Sequence, residues 1–375
     1  MSKGENMFFV HTFSLIEKYR SVDEIRALWT AYNCHNLESK TGFQINEYVN
    51  QGVRLCIRYL CPERKHYEKY EVEVEIIVTP YKLINNDKAL GYLKEIREYK
   101  KALYRFYEII NKIQAETGVD LKNAKIRRID VTRDVITPSS GYTKEIIRTI
   151  KIQQLPYGYH AMDGEIATRN QWNPENAFCY LNKNQNVRVK VYDKVQNLQD
   201  YKNEEWKELK GKGILRFEVT LEKKSLKKIG DDNTDLVQLI EMVLECAEQI
   251  YDEHVVLPLD TGVMLSEDVL CKYVDRKISQ RRKKEKMREC ILKCQKEKRN
   301  AGILDDSFMG TEKRTEKVWE YFQKLEVSPI PLKAECPYIP SVSQLLYGEN
   351  EESKKIQKFA VKHTRRKEYW ENEQL

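Results

Sequence analysis

The chain has no Cys-x-x-Cys pair, no His-x-His pair and no Gly-x-x-x-x-Gly-Lys loop. The first two absences remove the familiar zinc-ligand spacings, and the third removes the phosphate cradle of P-loop nucleotidases. Nine cysteines are scattered and odd in number, which is the usage of a reduced, cytoplasmic protein and not of a disulfide-stapled one. No stretch approaches the roughly 18 to 20 apolar residues that span a bilayer, and the start, Met1-Ser-Lys-Gly-Glu-Asn6, lacks a charged-then-apolar leader pattern. A large net charge is missing too. The 65 basic residues face 58 acidic ones and leave +7, so the total names no nucleic-acid partner and local clustering has to decide.

What remains is a chain of 375 residues, 41% hydrophobic, long enough for two or three domains with real cores. Alternation predicts strands at 7–16, 70–78, 125–135, 178–181, 187–195 and 214–221, and a hairpin from 42–48 and 53–60. From Asn86 the period lengthens, and Leu90, Leu93, Ile96, Leu103, Phe106, Ile110 and Ile113 mark the buried stripe of a helix that stops at Gly118. Further helices are expected from Thr143, over 236–251, over 266–299 and over 311–325. Prolines 329, 331, 337 and 340 read as an extended linker. This order predicts an α+β fold with a mainly antiparallel sheet packed on helices in residues 1–255. A basic helical region, 256–345, and a charged, flexible tail, 346–375, are expected to follow.

Three of the strands carry polar faces. Between Val187, Val189, Val191 and Val195 stand Arg188, Lys190, Tyr192 and Lys194, which a strand places on one side. Arg128, Asp130, Thr132 and Asp134 share a face of the 125–135 strand, as do Arg216, Glu218 and Thr220 on 214–221. Asp130 and Asp134 lie about 13 Å apart along their strand, too far to share one ion. Asp130 and Glu218, from neighbouring strands, can approach to about 5 Å and suit Mg²⁺ or Mn²⁺. Tyr192 is a candidate nucleophile whose phenol needs nearby positive charge, and Lys190 and Lys194 stand about 7 Å to either side. A solvated lattice of Arg128, Asp130, Arg216 and Glu218 accounts for the same acids equally well. Among 23 tyrosines, Tyr157, Tyr180 and Tyr201 compete with Tyr192, though none sits in so polar an alternation. Charge concentrates from Arg276 to Arg299, with twelve Lys or Arg against three Glu. Arg281, Arg282, Lys283 and Lys284 head that stretch, and Ile278, Met287, Ile291 and Leu292 form a thin apolar seam. It suits a DNA backbone, and a solvated or oligomerising helix fits the same pattern.

The succession Arg128-Ile-Asp-Val-Thr132, Arg188-Val-Lys-Val-Tyr-Asp-Lys194 and Leu215-Arg-Phe-Glu-Val-Thr-Leu221, preceded by Val78-Thr-Pro-Tyr-Lys-Leu83, resembles the rolling-circle replication initiators of plasmids and filamentous phages. More narrowly it is similar to the phage and plasmid replication proteins of the II/X type, over about residues 70–225. The resemblance implies a Rep nuclease-like domain at 1–255 that nicks one strand of origin DNA through Tyr192. The products would be a 5′-phosphotyrosine and a 3′-hydroxyl primer, and the strand would later be rejoined. It further implies Asp130 and Glu218 as metal ligands, with Lys194 and Arg216 serving phosphate or phenolate. Arg188, Lys190 and, from the concentration of charge, Arg281–Lys284 are expected to contact DNA; host helicase and polymerase would be partners, and a homodimer is allowed. The chain departs from many plasmid relatives at Asn197, where they carry Glu. The reading from another class is a non-catalytic DNA-binding regulator of replication or transcription.

Overall fold

The computed structural model describes residues 8–363 apart from 22, 32–36, 39–43, 46, 51, 60–70, 87, 152–154, 163–175, 232–233, 257–261, 297–311 and 333–336. Alternating sequence produces strands β1 (Phe9–Tyr19), β2 (Glu47–Asn50), β3 (Val53–Tyr59), β4 (Val72–Val78), β5 (Lys125–Thr137), β6 (Tyr159–Ala161), β7 (Ala177–Asn182), β8 (Val187–Asp193) and β9 (Gly213–Glu222). They pair antiparallel throughout into one sheet of nine, in the order β2-β3-β4-β1-β5-β9-β8-β7-β6. The class is α+β. No helix among the described residues is long and apolar enough to cross a membrane.

Period two gives the sheet two unlike faces. Phe13, Val74, Ile129, Val131, Val189, Val191, Leu215, Phe217 and Val219 share one core cluster with the buried stripes of helices α1 (Ile96–Thr117) and α2 (Ser140–Lys151). Helices α4 (Leu236–Glu245) and α5 (Ala247–His254) complete that layer, following α3 (Lys194–Asp200) at the end of β8. Each fully buried Val, Leu, Ile or Phe contributes roughly 1.5–3 kcal/mol, so this face is where most of the fold's stability resides. From α5, the Tyr251 hydroxyl shares its one proton between the carbonyls of Val131 and Phe217, at 3.2 and 2.9 Å, tying the helix to two adjacent strands.

Several expected boundaries move. The long helix begins ten residues later than the periodicity predicts, because Glu95 and Glu98 form a capping box there. Leu90 lies outside it, its backbone N–H donating to Glu205 at 2.8 Å. The strand expected to reach Val195 ends at Asp193, whose carboxylate accepts from the N–H groups of Val195 and Gln196 and starts α3. The 236–251 helix breaks at Cys246.

The C-terminal region differs more. The expected single helix over 266–299 is two, α6 (Glu267–Lys277) and α7 (Arg281–Lys296), separated at an extended Ile278. With α8 (Glu312–Lys324) and α9 (Glu351–His363) they enclose a second core of Leu270, Val274, Met287, Ile291, Phe322, Ile356 and Phe359. The expected flexible tail therefore contains a packed helix, because Ile356, Phe359 and Ala360 recur at helical spacing among its charges; 364–375 lie outside the described residues. The proline-marked linker is packed as well, with Ile330, Leu332, Tyr338 and Ile339 buried.

One close approach in the sheet yields a stability test. A Cβ at Gly213 would meet Thr137 Oγ1 at 2.3 Å and Thr143 Oγ1 at 2.4 Å, the two hydroxyls that hydrogen-bond each other at 2.7 Å between β5 and α2. Gly213→Ala should destabilise the protein by about 1–3 kcal/mol, measured as a lowered urea midpoint.

Candidate active site

On the sheet face opposite the helices, register brings together the polar residues of three adjacent strands. Tyr192 stands opposite Arg216, which stands opposite Asp134. Lys190 stands opposite Glu218, which stands opposite Thr132, and Thr220 stands opposite Asp130. Tyr192, Asp130 and Glu218 thus share one side of one sheet. Asp130 and Glu218 are diagonal neighbours and not directly opposed, so the closest cross-strand approach expected for them is not realised.

The largest fully buried member is Arg216, with 0% exposure. Its Nε and Nη2 donate to the two carboxylate oxygens of Asp134 at 2.6 and 2.7 Å, a bidentate pair, while Nη1 is buried without a hydrogen-bond acceptor. Phe9 lies beneath the guanidinium at 5.5 Å and is itself stacked on Tyr92 at 4.9 Å. Asp134 is therefore committed to Arg216 and not to a metal site.

Glu218 is the hub beside it. Lys190 Nζ donates to one carboxylate oxygen at 2.5 Å, and the Tyr192 hydroxyl donates to the other at 3.4 Å. His11 Nδ1 lies 3.7 Å from that second oxygen. Burial opposes ionisation of Glu218, but the cations Lys190 and Arg216 outweigh it and hold the carboxyl well below its usual range. Burial drives the His11 imidazole well down, reinforced by Arg216. His11 is the residue that sequence reasoning misses. Val10 pairs with Val131 and Thr12 with Asp130, so His11 is the extra residue of a β-bulge, and simple alternation assigns it wrongly to the apolar face.

The lysines flanking Tyr192 do not acidify it as expected. Burial pushes the phenol far above its ordinary value, Glu218 adds to the rise, and Arg216 only partly opposes it. Lys190 is spent on Glu218. Lys194 sits at the first turn of α3 and not on the strand, where burial, aided by Arg216, pushes its ammonium down to about 7.

Away from Tyr192 the same face is an ion-pair lattice. Arg127 contacts Glu73 at 2.9 Å and Glu75 at 3.4 Å, Arg128 contacts Asp130 at 3.4 Å, and Arg188 lies 3.6 Å from Glu222. Of the lattice expected as the plain alternative, the Arg128–Asp130 contact forms, whereas Arg216 pairs with Asp134 and Glu218 with Lys190. Among the described residues no three His, Cys, Asp or Glu side chains gather as a cation site. The acids expected to hold Mg²⁺ or Mn²⁺ are engaged as well, Asp130 with Arg128 and Glu218 with Lys190. Between them the hydroxyls of Thr132 and Thr220 are buried without hydrogen-bond partners, so polar capacity is left for a hydrated ion or a phosphate oxygen.

The four candidate DNA contacts on α7 divide. Arg281 and Arg282 are exposed, whereas Lys283 Nζ is held over the Tyr321 ring at 4.4 Å and Lys284 is half-buried. Of the competing tyrosines, Tyr180 is buried in the core, and Tyr157 and Tyr201 are exposed.

No family model matches the chain, and no curated protein matches it. Among solved structures, the di-domain ARO/CYC StfQ from the steffimycin biosynthetic pathway aligns over 64% of this chain and 93% of its own, at 9% identity and a TM-score of 0.18. A score that low carries no argument.

Two measurements test the electrostatics. Asp134→Ala strips a buried guanidinium of its counter-ion and should cost about 3–5 kcal/mol, most of it regained when Arg216→Met is added, read by chemical denaturation of the double-mutant cycle. The native Lys194 value of about 7 lies below the 10.5 of a free lysine, so between these limits the unfolded chain binds the extra proton. Wild-type stability relative to Lys194→Met should be lowest and flat below about pH 7, then rise towards pH 10.5.

Proposed function

We propose that the protein is a metal-dependent, site-specific DNA endonuclease and strand transferase with a Rep nuclease-like fold, initiating rolling-circle replication. The observation that carries this reading is the meeting of Tyr192, Arg216 and Glu218 on one polar sheet face, from two of the segments whose order resembles that family. The phenol oxygen of Tyr192 would attack a backbone phosphorus of origin DNA. A P–O bond to tyrosine forms as the P–O3′ bond breaks, leaving a 5′-phosphotyrosine and a 3′-hydroxyl that takes up a proton. That hydroxyl would prime a host polymerase behind a host helicase, and reversal of the chemistry would rejoin the strand.

The residues divide the work by charge. Arg216 offers its unpaired Nη1 to a non-bridging phosphate oxygen, and Lys194, near neutrality at physiological pH, can take the phenol proton or meet the phosphate. Lys190 and Arg188 line the approach on the same strand face, partly exposed. Asp130 and Glu218 would hold Mg²⁺ or Mn²⁺, and the charge of such an ion, when bound, offsets the negative charge that develops at phosphorus.

A second reading, a non-catalytic DNA-binding regulator, is favoured by one observation: Glu73, Glu75 and Glu222 neutralise much of the face, and the Tyr192 phenol is made less acidic. Supercoiled origin DNA incubated with the protein and Mn²⁺ separates the two. Initiation requires nicked circles bearing covalent protein, lost in Tyr192→Phe. An adduct that survives the substitution sinks the nucleophile assignment, and metal-independent gel shifts with no adduct under any condition favour the regulator.

A further inference from the structure

We propose that α6 and α7 form a helix-turn-helix in which α7 enters the major groove of duplex DNA. The inference shares only its partner with the reading above and does not depend on Tyr192.

Three observations carry it. The two helices are joined by Ile278-Ser279-Gln280, a three-residue turn, with Ile278 buried in an extended conformation and the Gln280 carbonyl accepting from the N–H groups of Lys283 and Lys284 at 3.1 Å. Neither glycine nor proline makes this turn, so Ile278 fixes it by packing into the second core. Helix α6 is seated there through Val269, Leu270, Tyr273 and Val274, and α7 through Met287, Cys290 and Ile291. Among the described side chains, the second helix is therefore seated along one edge.

Its other side is where the charge lies. Over Arg281–Lys296 the sequence has eight Lys or Arg and two Glu, which concentrates in one helix a positive excess nearly as large as that of the whole chain. Arg281, Arg282, Lys286 and Arg288 are exposed. Arg281 is hydrogen-bonded to Glu285 at 2.9 Å and Arg288 is paired with Asp275, so the two cations best presented to a groove are Arg282 and Lys286, four residues apart on one helix face. A recognition helix reads base edges mainly from its N-terminal residues while neighbouring cations meet phosphates, and Arg282 sits at that end. A membrane surface is less well matched, because the apolar seam that such binding needs is consumed by the second core.

The test uses the full-length protein and a randomised pool of duplex oligonucleotides, followed by fluorescence anisotropy on the selected duplex across a salt series. Wild-type protein should enrich a defined sequence. Arg282→Ala/Lys286→Ala, both at exposed positions, should lose about tenfold or more in affinity, flatten the log–log salt slope by about 2 and lose the base preference. Circular dichroism should match wild type. Absence of any enriched sequence, or unchanged affinity and slope in a folded double variant, overturns the proposal. Covalent capture of a single-stranded oligonucleotide, run alongside, keeps the readings apart: an adduct without dependence on Arg282 and Lys286 refutes only the helix-turn-helix, and duplex reading without an adduct refutes only the nicking chemistry.

Discussion

Everything on the polar face is arranged around the buried pair of Arg216 and Asp134. A guanidinium with no exposure is tolerable only because two carboxylate oxygens meet it in parallel across β5 and β9. The pair also locks register. Sliding β9 by one residue would turn Arg216 into the helix-covered core and Phe217 onto the polar face, so this alignment is strongly specified. The β8–β9 pairing has its own register, in which Tyr192 faces Arg216 and Lys190 faces Glu218, the latter as an ion pair.

That geometry fixes the protonation of the resting site. Glu218 is shifted towards its ionised form, the Tyr192 phenol is made less acidic, the His11 imidazole is made less basic, and the Lys194 ammonium is brought down to about 7. A protonated phenol beside an ionised carboxylate is a poor nucleophile at rest. Chemistry at Tyr192 would therefore depend on positive charge reaching the Glu218 side, or on a base taking the phenol proton. Lys194 and the partnerless hydroxyls of Thr132 and Thr220 are the groups with capacity to spare.

How much of this could be read in the chain depends on which rule generated each feature. The shared face of Arg188, Lys190, Tyr192, Asp130, Arg216 and Glu218 follows from period two and was legible. Which acid faces which cation was not, since register is a tertiary quantity: Asp134 takes Arg216, and Asp130 ends diagonal to Glu218. Lys194 was misplaced because Asp193 doubles as strand end and helix cap. His11 was hidden by a bulge that breaks the alternation. The same bulge sets Phe9 opposite Thr132, where it covers Arg216. In the C-terminal region, Met287 and Ile291 were correctly placed in an apolar seam. Leu292 is exposed, and the break at Ile278 carries no glycine or proline to announce it.

The two cores are joined by a very small device. Met264-Leu265 pairs with Tyr338-Ile339 in a two-residue antiparallel ribbon. Alternation splits it, with Met264 and Ile339 belonging to the core beneath the large sheet, and Leu265 and Tyr338 to the core of the helical unit. Around it, Thr149 of α2 hydrogen-bonds the Met264 sulfur at 3.5 Å, and Arg148 donates to the Pro331 carbonyl at 3.3 Å. A ribbon this short cannot hold itself together in water, so it exists only while both cores grip it. The orientation of α6 and α7 is in this way referred back to α2, which packs on β8 and β9, the strands that carry Tyr192 and Glu218. Residues in the ribbon carry none of the polar face's charges and none of the basic helix's, yet by seating both cores they bear on how one is presented to the other.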